Sequence, residues 1–156
     1  MTLKSIIARL IQDGTVTEYP HDLSEEDCHG CVYQTEGFRE ELDALPSEIE
    51  GEDPEPEPRE QIENLLRRIC AGEDIELNWD LEFRNGFALL KTRSVRAIGI
   101  FIDLNKFIAV SVRTKASLNP KKGGTSSTQW YKSQLEIKNA LGCNEYEKRK
   151  RDFEDP

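Results

Sequence analysis

The clearest pattern of apolar and polar positions lies between Ile75 and Phe83, where apolar residues at every second position alternate with Glu, Asn and Asp. Period-two alternation is typical of a β-strand with one buried and one solvated side. Asn85-Gly86 comes next and favours a type I′ hairpin turn, because both central positions of that turn need a positive φ. Further apolar runs follow at 87–91, 96–102 and 107–114. We therefore predict a four-stranded antiparallel β-meander.

Helical periodicity flanks the predicted meander on both sides. An apolar stripe predicts a helix from about Arg59 that ends at Gly72, and it consists of Ile62, Leu65, Leu66, Ile69 and Cys70. After the meander, a second stripe predicts a final helix that ends at Gly142, and it consists of Trp130, Gln134, Ile137 and Leu141. The order of helix, meander and helix predicts an α+β fold.

The N-terminal region, residues 1–45, also carries helical signals. Apolar residues from Leu3 to Ile11 recur at helical spacing, and Ser24 to Asp27 resembles a capping box that starts a second helix. Residues 46–58 (PSEIEGEDPEPEP) contain six acidic residues and no basic one, which predicts an extended linker. We expect an α+β body over residues 59–142 and a charged tail over 143–156.

The charge of the chain is divided between its two halves. Through Asn85 there are seven Lys and Arg against 23 Asp and Glu, a net charge of −16. From Gly86 onward there are 14 against seven, a net charge of +7, so the whole chain carries −9. A basic half can bind phosphate, whereas an acidic half can bind a basic partner or compete for the same basic surface.

One loop of the basic half has the composition of a phosphate-binding segment. Residues 121–128 combine two lysines, two glycines and four hydroxyl residues, and they lead into the predicted final helix. A helix N-terminus attracts anions through its unpaired N–H groups, although the order of residues here is not that of a Walker A loop. The alternative is an ordinary surface loop. We predict that nucleic-acid phosphates are bound by Lys121, Lys122, Arg113, Lys115, Arg96, Lys106, Thr125 and Ser126.

Aromatic residues in the basic half allow two interpretations. Phe101, Phe107, Trp130 and Tyr131 can stack on bases if they are exposed, or they can belong to the core. For each residue taken singly, the core is the favoured interpretation.

The segment Cys28-His29-Gly30-Cys31 contains two cysteines at the spacing of half a structural zinc site. No second pair of ligands has the expected spacing. Zinc bound by Cys28 and Cys31 is therefore one hypothesis, and unpaired structural cysteines are the default. We predict no other cofactor.

Catalysis has weaker support in the sequence. A metal-dependent nuclease of related topology would place Glu-x-Lys where this chain has Ser111-Val112-Arg113. Asp103 falls in a turn, and Glu76, Asp80 and Glu82 alternate as on any solvated strand.

These patterns favour a non-enzymatic, intracellular accessory or regulatory protein that binds nucleic acid through its basic C-terminal half. The acidic N-terminal half is expected to compete with the nucleic acid or to dock a protein partner. Two alternatives remain open, a protein–protein adaptor or inhibitor that acts through the acidic half, and a divergent metal-dependent nuclease. The first apolar stripe is too short and too polar to span a bilayer and lacks the features of a signal peptide, so we expect no membrane association.

Overall fold

A computed structural model describes residues 2–53 and 55–154 and confirms the predicted α+β class. The strands are β1 (Val16–Glu18), β2 (Cys31–Thr35), β3 (Leu81–Arg84), β4 (Phe87–Lys91), β5 (Val95–Asp103) and β6 (Lys106–Thr114). The helices are α1 (Leu3–Gln12), α2 (Glu36–Asp43), α3 (Pro58–Cys70), α4 (Ser127–Ala140) and α5 (Lys150–Phe153). None of these helices has the length and apolar character needed to cross a bilayer.

The sheet has six strands in the order β1-β2-β6-β5-β4-β3. Strands β3 to β6 pair antiparallel in chain order, as a meander does. The prediction of a purely antiparallel four-stranded sheet was wrong, because β2 pairs parallel to β6 and β1 pairs antiparallel to β2. The N-terminal region therefore completes the sheet of the body.

Helices cover both faces of this sheet because side chains alternate along each strand. In β4, Ala88 and Leu90 belong to the core beneath α2 and α3, whereas Phe87 and Leu89 pack with Trp130 of α4. The face covered by α4 is called the second face. Helix α1 covers the other end of it, where Leu10 belongs to a cluster that includes Ile108 and Val110 of β6.

The helix predicted to start at Ser24 is absent. Ser24 O instead accepts hydrogen bonds from the N–H groups of Asp27 and Cys28, which closes a single turn. The next apolar residues form β2, because their N–H and C=O groups find partners on β6. Thr35 then ends the strand and caps α2, since its hydroxyl accepts a hydrogen bond from Phe38 N.

The predicted strand from Ile75 to Phe83 is a strand only from Leu81. Before it lies a turn in which Asn78 has a φ of 74°, a value that breaks an extended chain. Trp79 is 77% exposed instead of lying on a buried strand face. The alternation was misleading because the polar residues stabilise a turn instead of facing solvent from a strand. Asp80, for example, accepts a hydrogen bond from Glu76 N through its Oδ2.

Other local signals were confirmed. Asn85 and Gly86 form the hairpin turn with φ values of 50° and 81°. Helix α3 is followed by Gly72, which has a φ of 76°. Trp130 of α4 and Leu141, the C-cap of that helix, are buried as predicted, but Ile137 is exposed and Lys138 is buried.

The acidic linker is held against the sheet. Glu52 Oε2 accepts a hydrogen bond of 2.8 Å from Ser94 Oγ, and Arg93 Nη2 donates one of 2.8 Å to the carbonyl of Asp53. Gln61 of α3 also donates a hydrogen bond to Pro56 O. The linker therefore runs beside the β4–β5 turn, where it can face the basic half.

Candidate functional site

An open cleft of about 1140 Å³ lies beside α4 on the second face of the sheet. Three parts of the chain line it: the linker at 49–52, the β3–β4 hairpin with Arg96, and the loop that leads from Lys115 into α4. The acidic linker and the basic loop thus face the same space.

The hairpin side of the cleft carries an ion-paired cluster. Glu82 accepts a hydrogen bond of 2.6 Å from Arg84 Nε and another from Lys91 Nζ. The hydrogen bond from Lys91, supported by the one from Arg84, holds the pKa of Glu82 below its ordinary value. Both cations therefore already have an ion-pair partner, although two cations share the single carboxylate.

Three further cations of the cleft have no such partner. In the described residues, no carboxylate forms an ion pair with Arg96, Lys115 or Lys122. Their charges remain available to an anion in the cleft.

Arg96 is the most rigidly held of these cations. Its Nη1 donates hydrogen bonds to the carbonyls of Thr92 and Val95, the latter at 2.9 Å. Burial lowers the pKa of Arg96, but an arginine remains charged at any physiological pH. Within residues 2–53 and 55–154, its Nε and Nη2 groups have no hydrogen-bond acceptor. This half-buried guanidinium can therefore donate to an anion without first losing another partner.

The predicted phosphate loop is compact. The N–H groups of Lys121, Gly124 and Thr125 donate hydrogen bonds within the loop. A Cβ on Gly124 would lie 2.2 Å from the carbonyl oxygen of Ser117, so the two backbone segments touch. The N–H groups of this part of the loop are therefore already hydrogen-bonded, which leaves its lysine side chains and the start of α4 as the groups that could meet an anion.

The first turn of α4 completes the cleft. Ser126 caps the helix by accepting a hydrogen bond from Gln129 N through its Oγ. Ser127 and Thr128 line the cleft. Because the N–H groups at the start of a helix carry partial positive charge, this end of α4 adds to the attraction for an anion.

The structure separates the other predicted binding residues from the cleft. Lys121 and Thr125 are exposed in the loop before α4, but they do not line the cleft. Lys106 is the first residue of β6 and Lys115 follows its last, so the nine-residue strand, about 30 Å long, separates them.

Arg113 is engaged by the N-terminal half. Its guanidinium pairs with Glu41 of α2, and the same carboxylate accepts a hydrogen bond of 2.7 Å from Ser111 Oγ. Trp130 Nε1 donates to that hydroxyl at 2.8 Å. The charge of Arg113 is therefore neutralised inside the fold.

The four aromatic residues considered for stacking are buried core residues: Phe101, Phe107, Trp130 and Tyr131. Among the described residues, the exposed aromatic side chain is Trp79, which the period-two pattern had assigned to the core. The sequence signal that could have revealed this turn was Asn78 next to Trp79, since Asn favours turns. That signal does not show how exposed the indole is.

The cysteines Cys28, Cys31 and Cys70 lie near one another, and all are unpaired thiols. Burial raises the pKa of Cys31 and raises that of Cys70 to about 11. His21 Nδ1 accepts a hydrogen bond from Leu23 N, which leaves the proton on Nε2, 3.4 Å from Cys28 Sγ. Across the described ranges, no three His, Cys, Asp or Glu side chains are placed to hold a metal ion.

The carboxylates considered for catalysis are dispersed. Asp80 is bound within its turn and to Arg68 at 3.3 Å, and Glu82 is paired with Lys91 and Arg84. Asp103 ends β5, at the opposite end of the strand from Arg96.

The fold and the cleft together define an α+β chain with a cationic cleft faced by an acidic segment. Comparison with protein families, with curated proteins and with solved structures found no match to this chain.

Proposed function

We propose that this protein is a non-enzymatic nucleic-acid-binding accessory or regulatory protein that contacts phosphates through this cleft. The observation that carries the proposal is the convergence of Arg96, Lys115 and Lys122, all without ion-pair partners in the described part of the chain, with the start of α4. Contacts of this kind position a phosphate backbone without reading its sequence. The binding is therefore expected to depend strongly on salt and weakly on base sequence.

Reversing two cleft charges tests the proposal. We expect Lys115→Glu combined with Lys122→Glu to weaken binding to a labelled oligonucleotide by about tenfold or more and to reduce its salt dependence. The reason is that phosphate contacts release condensed counterions, with a slope of about −2 in log K against log salt for three contacts to a single strand. Fluorescence anisotropy at several salt concentrations measures both quantities.

The matched control reverses two exposed lysines outside the cleft, Lys4 and Lys106, with the same change in net charge. Binding should be weakened much less by this change. An equal loss in both double variants, or binding that is insensitive to salt, would contradict the assignment of the site to this cleft.

We further propose that the acidic linker competes with nucleic acid for the cleft. Glu50 and Glu52 line the same space as Arg96, Lys115 and Lys122, so their carboxylates lower the positive potential that a phosphate meets. Removing residues 1–58 would be a poor test because β1 and β2 would be lost with the linker. Neutralising the two carboxylates in the full chain avoids that problem.

We expect Glu50→Gln combined with Glu52→Gln to tighten oligonucleotide binding by about threefold to tenfold, since each exposed charge contributes a fraction of a kcal/mol. The control is Glu25→Gln combined with Glu26→Gln, two exposed residues of the turn before β2. Anisotropy titrations of both variants at low salt measure the difference. If the two double variants bind equally well, the linker does not compete.

A second candidate function is a protein–protein adaptor that acts through the acidic half. A groove of about 740 Å³ is lined by Glu48, Glu55, Glu57 and Glu60, and this favours a basic partner segment. The Lys115→Glu and Lys122→Glu variant distinguishes the two functions, because it should leave capture of a basic peptide intact.

A further inference from the structure

Trp79 is the most exposed large apolar side chain among the described residues, at 77%. It lies in a turn with many hydrogen bonds. Trp79 N donates to Glu76 O at 3.2 Å, Asp80 N donates to the same oxygen at 2.8 Å, and Asn78 N donates to Leu81 O at 2.7 Å. The backbone that carries this indole is therefore well fixed.

The turn is also braced against a helix. Asp80 Oδ2 accepts a hydrogen bond from Glu76 N and lies 3.3 Å from Arg68 Nη1 of α3. Because the backbone of this turn is already ordered, binding a ligand costs little further conformational entropy there. An exposed aromatic ring on a fixed backbone is an efficient anchor for a ligand.

Trp79 is adjacent to the cationic cleft. Lys91, which lines the cleft, donates from its backbone N to Asp80 O at 2.9 Å and from its Nζ to Asn78 O at 3.5 Å. The residues on both sides of Trp79 are thus bound to a cleft residue. The turn that carries Trp79 is therefore fixed at the Lys91 edge of the cleft.

We propose that Trp79 is a base-stacking platform at the end of the cleft, and that the preferred ligand is single-stranded nucleic acid. This inference rests on the proposed phosphate-binding function. In a duplex, both faces of each base are covered by stacked neighbours, whereas an unpaired base offers a free face to an aromatic ring. Stacking tolerates any base, which agrees with the weak sequence preference expected of phosphate contacts.

Tryptophan fluorescence tests the platform directly. The chain has two tryptophans, and the other, Trp130, is 1% exposed and donates its Nε1 proton to Ser111. Trp130 also lines the cleft, so the quenching that reports on Trp79 is the part that is lost in Trp79→Ala. The probes are a labelled oligothymidylate single strand and a duplex of equal length, with anisotropy recorded separately from the quenching.

We expect the single strand to quench the fluorescence and to bind more tightly than the duplex. Trp79→Ala should remove the quenching and weaken single-strand binding by about tenfold, while Trp79→Phe should retain part of the affinity. Leu104→Ala is the matched control, because Leu104 is also exposed, at 50%, in the β5–β6 turn. Its binding should match that of the unsubstituted chain.

The outcomes separate this inference from the proposed function. Salt-dependent anisotropy without quenching, with equal affinity for Trp79→Ala, would overturn the platform and leave the phosphate-binding cleft in place. Equal affinity for single strand and duplex would overturn the preference for unpaired bases. Absence of any anisotropy change at low salt would overturn both.

Discussion

We expect Glu147→Ala to lower the free energy of unfolding by about 3–5 kcal/mol, the usual cost of removing one partner of a buried ion pair. Glu147 Oε2 lies 3.0 Å from Lys138 Nζ, and the two side chains are only 10% and 9% exposed. The ammonium also lies 5.6 Å from the centre of the Phe87 ring. Without the carboxylate, a positive charge would remain in surroundings that solvate it poorly.

Urea unfolding followed by circular dichroism measures this loss. Glu145→Ala is the control, because it removes the same charge from an exposed position two residues away and should change stability by no more than about 0.5 kcal/mol. The double replacement of Lys138 by Met and Glu147 by Leu should recover most of the stability, since an apolar pair needs no counter-charge. If Glu147→Ala and Glu145→Ala were equally stable, the ion pair would not hold the C-terminal segment against α4.

The second large effect is expected for Gly30→Ala, with a loss of about 3 kcal/mol in the free energy of unfolding. A Cβ at this position would lie 2.3 Å from the carbonyl oxygens of both Asn105 and Ile69. Both are backbone atoms, so they cannot rotate away as a side chain can. The neighbouring backbone is also fixed, because Gly30 N donates to Cys70 O at 2.8 Å and Cys31 N donates to Asn105 O at 3.0 Å.

Gly37→Ala provides the matched control. Gly37 lies inside α2, and the nearest atom to an added Cβ is 4.0 Å away. The same chemical change should therefore raise stability by about 0.5–1 kcal/mol, because alanine favours the helix and restricts the unfolded chain. Thermal or urea unfolding of the two variants should give shifts of opposite sign. A loss no larger than about 1 kcal/mol for Gly30→Ala would show that the junction can relax.

The glycine of the Cys28–Cys31 segment is thus explained by close packing. The segment is wedged between the end of α3 and the β5–β6 turn, where Asn105 also donates a side-chain hydrogen bond to the carbonyl of His29. The motif that first suggested a metal site is therefore a junction of three elements.

The division of charge along the chain has a structural counterpart. Acidic residues of the first half satisfy some cations of the second half, as Glu41 does for Arg113 and Glu82 does for Lys91. Other acidic residues, such as Glu52, line the cleft without an ion pair to its cations. Among the described residues, folding leaves three cations of the cleft, Arg96, Lys115 and Lys122, without an ion-pair partner.

Much of the fold could be predicted because its signals are local. The Asn85-Gly86 turn requires positive φ at two adjacent residues, and α3 has an apolar stripe and a terminating glycine within one segment. Strands β1 and β2 could not be predicted in this way. They are short, and β2 is held by β6, whose paired residues come 75 positions later in the chain, so the information that makes it a strand lies far from it.

The candidate site was predictable only in outline. The lysine-rich loop and the basic second half predicted anion binding, and three of the residues named for it, Arg96, Lys115 and Lys122, line one cleft in the structure. That they bind phosphate stays a prediction. Nothing in the local sequence distinguishes these residues from Arg113, which is ion-paired, or from Lys106, which lies at the far end of β6.

The amino-acid sequence by itself determined the periodicities, the turns, the α+β class and the division of charge, since each depends on residues close together in the chain. The tertiary structure alone decided which charges are left unpaired, which aromatic side chain is exposed and which segment faces the cleft. The physical reason is that burial and ion pairing depend on neighbours in space. Arg113 and Lys138 are ion-paired with Glu41 and Glu147, which lie in other parts of the chain. Trp79, by contrast, is left exposed by the way its turn packs.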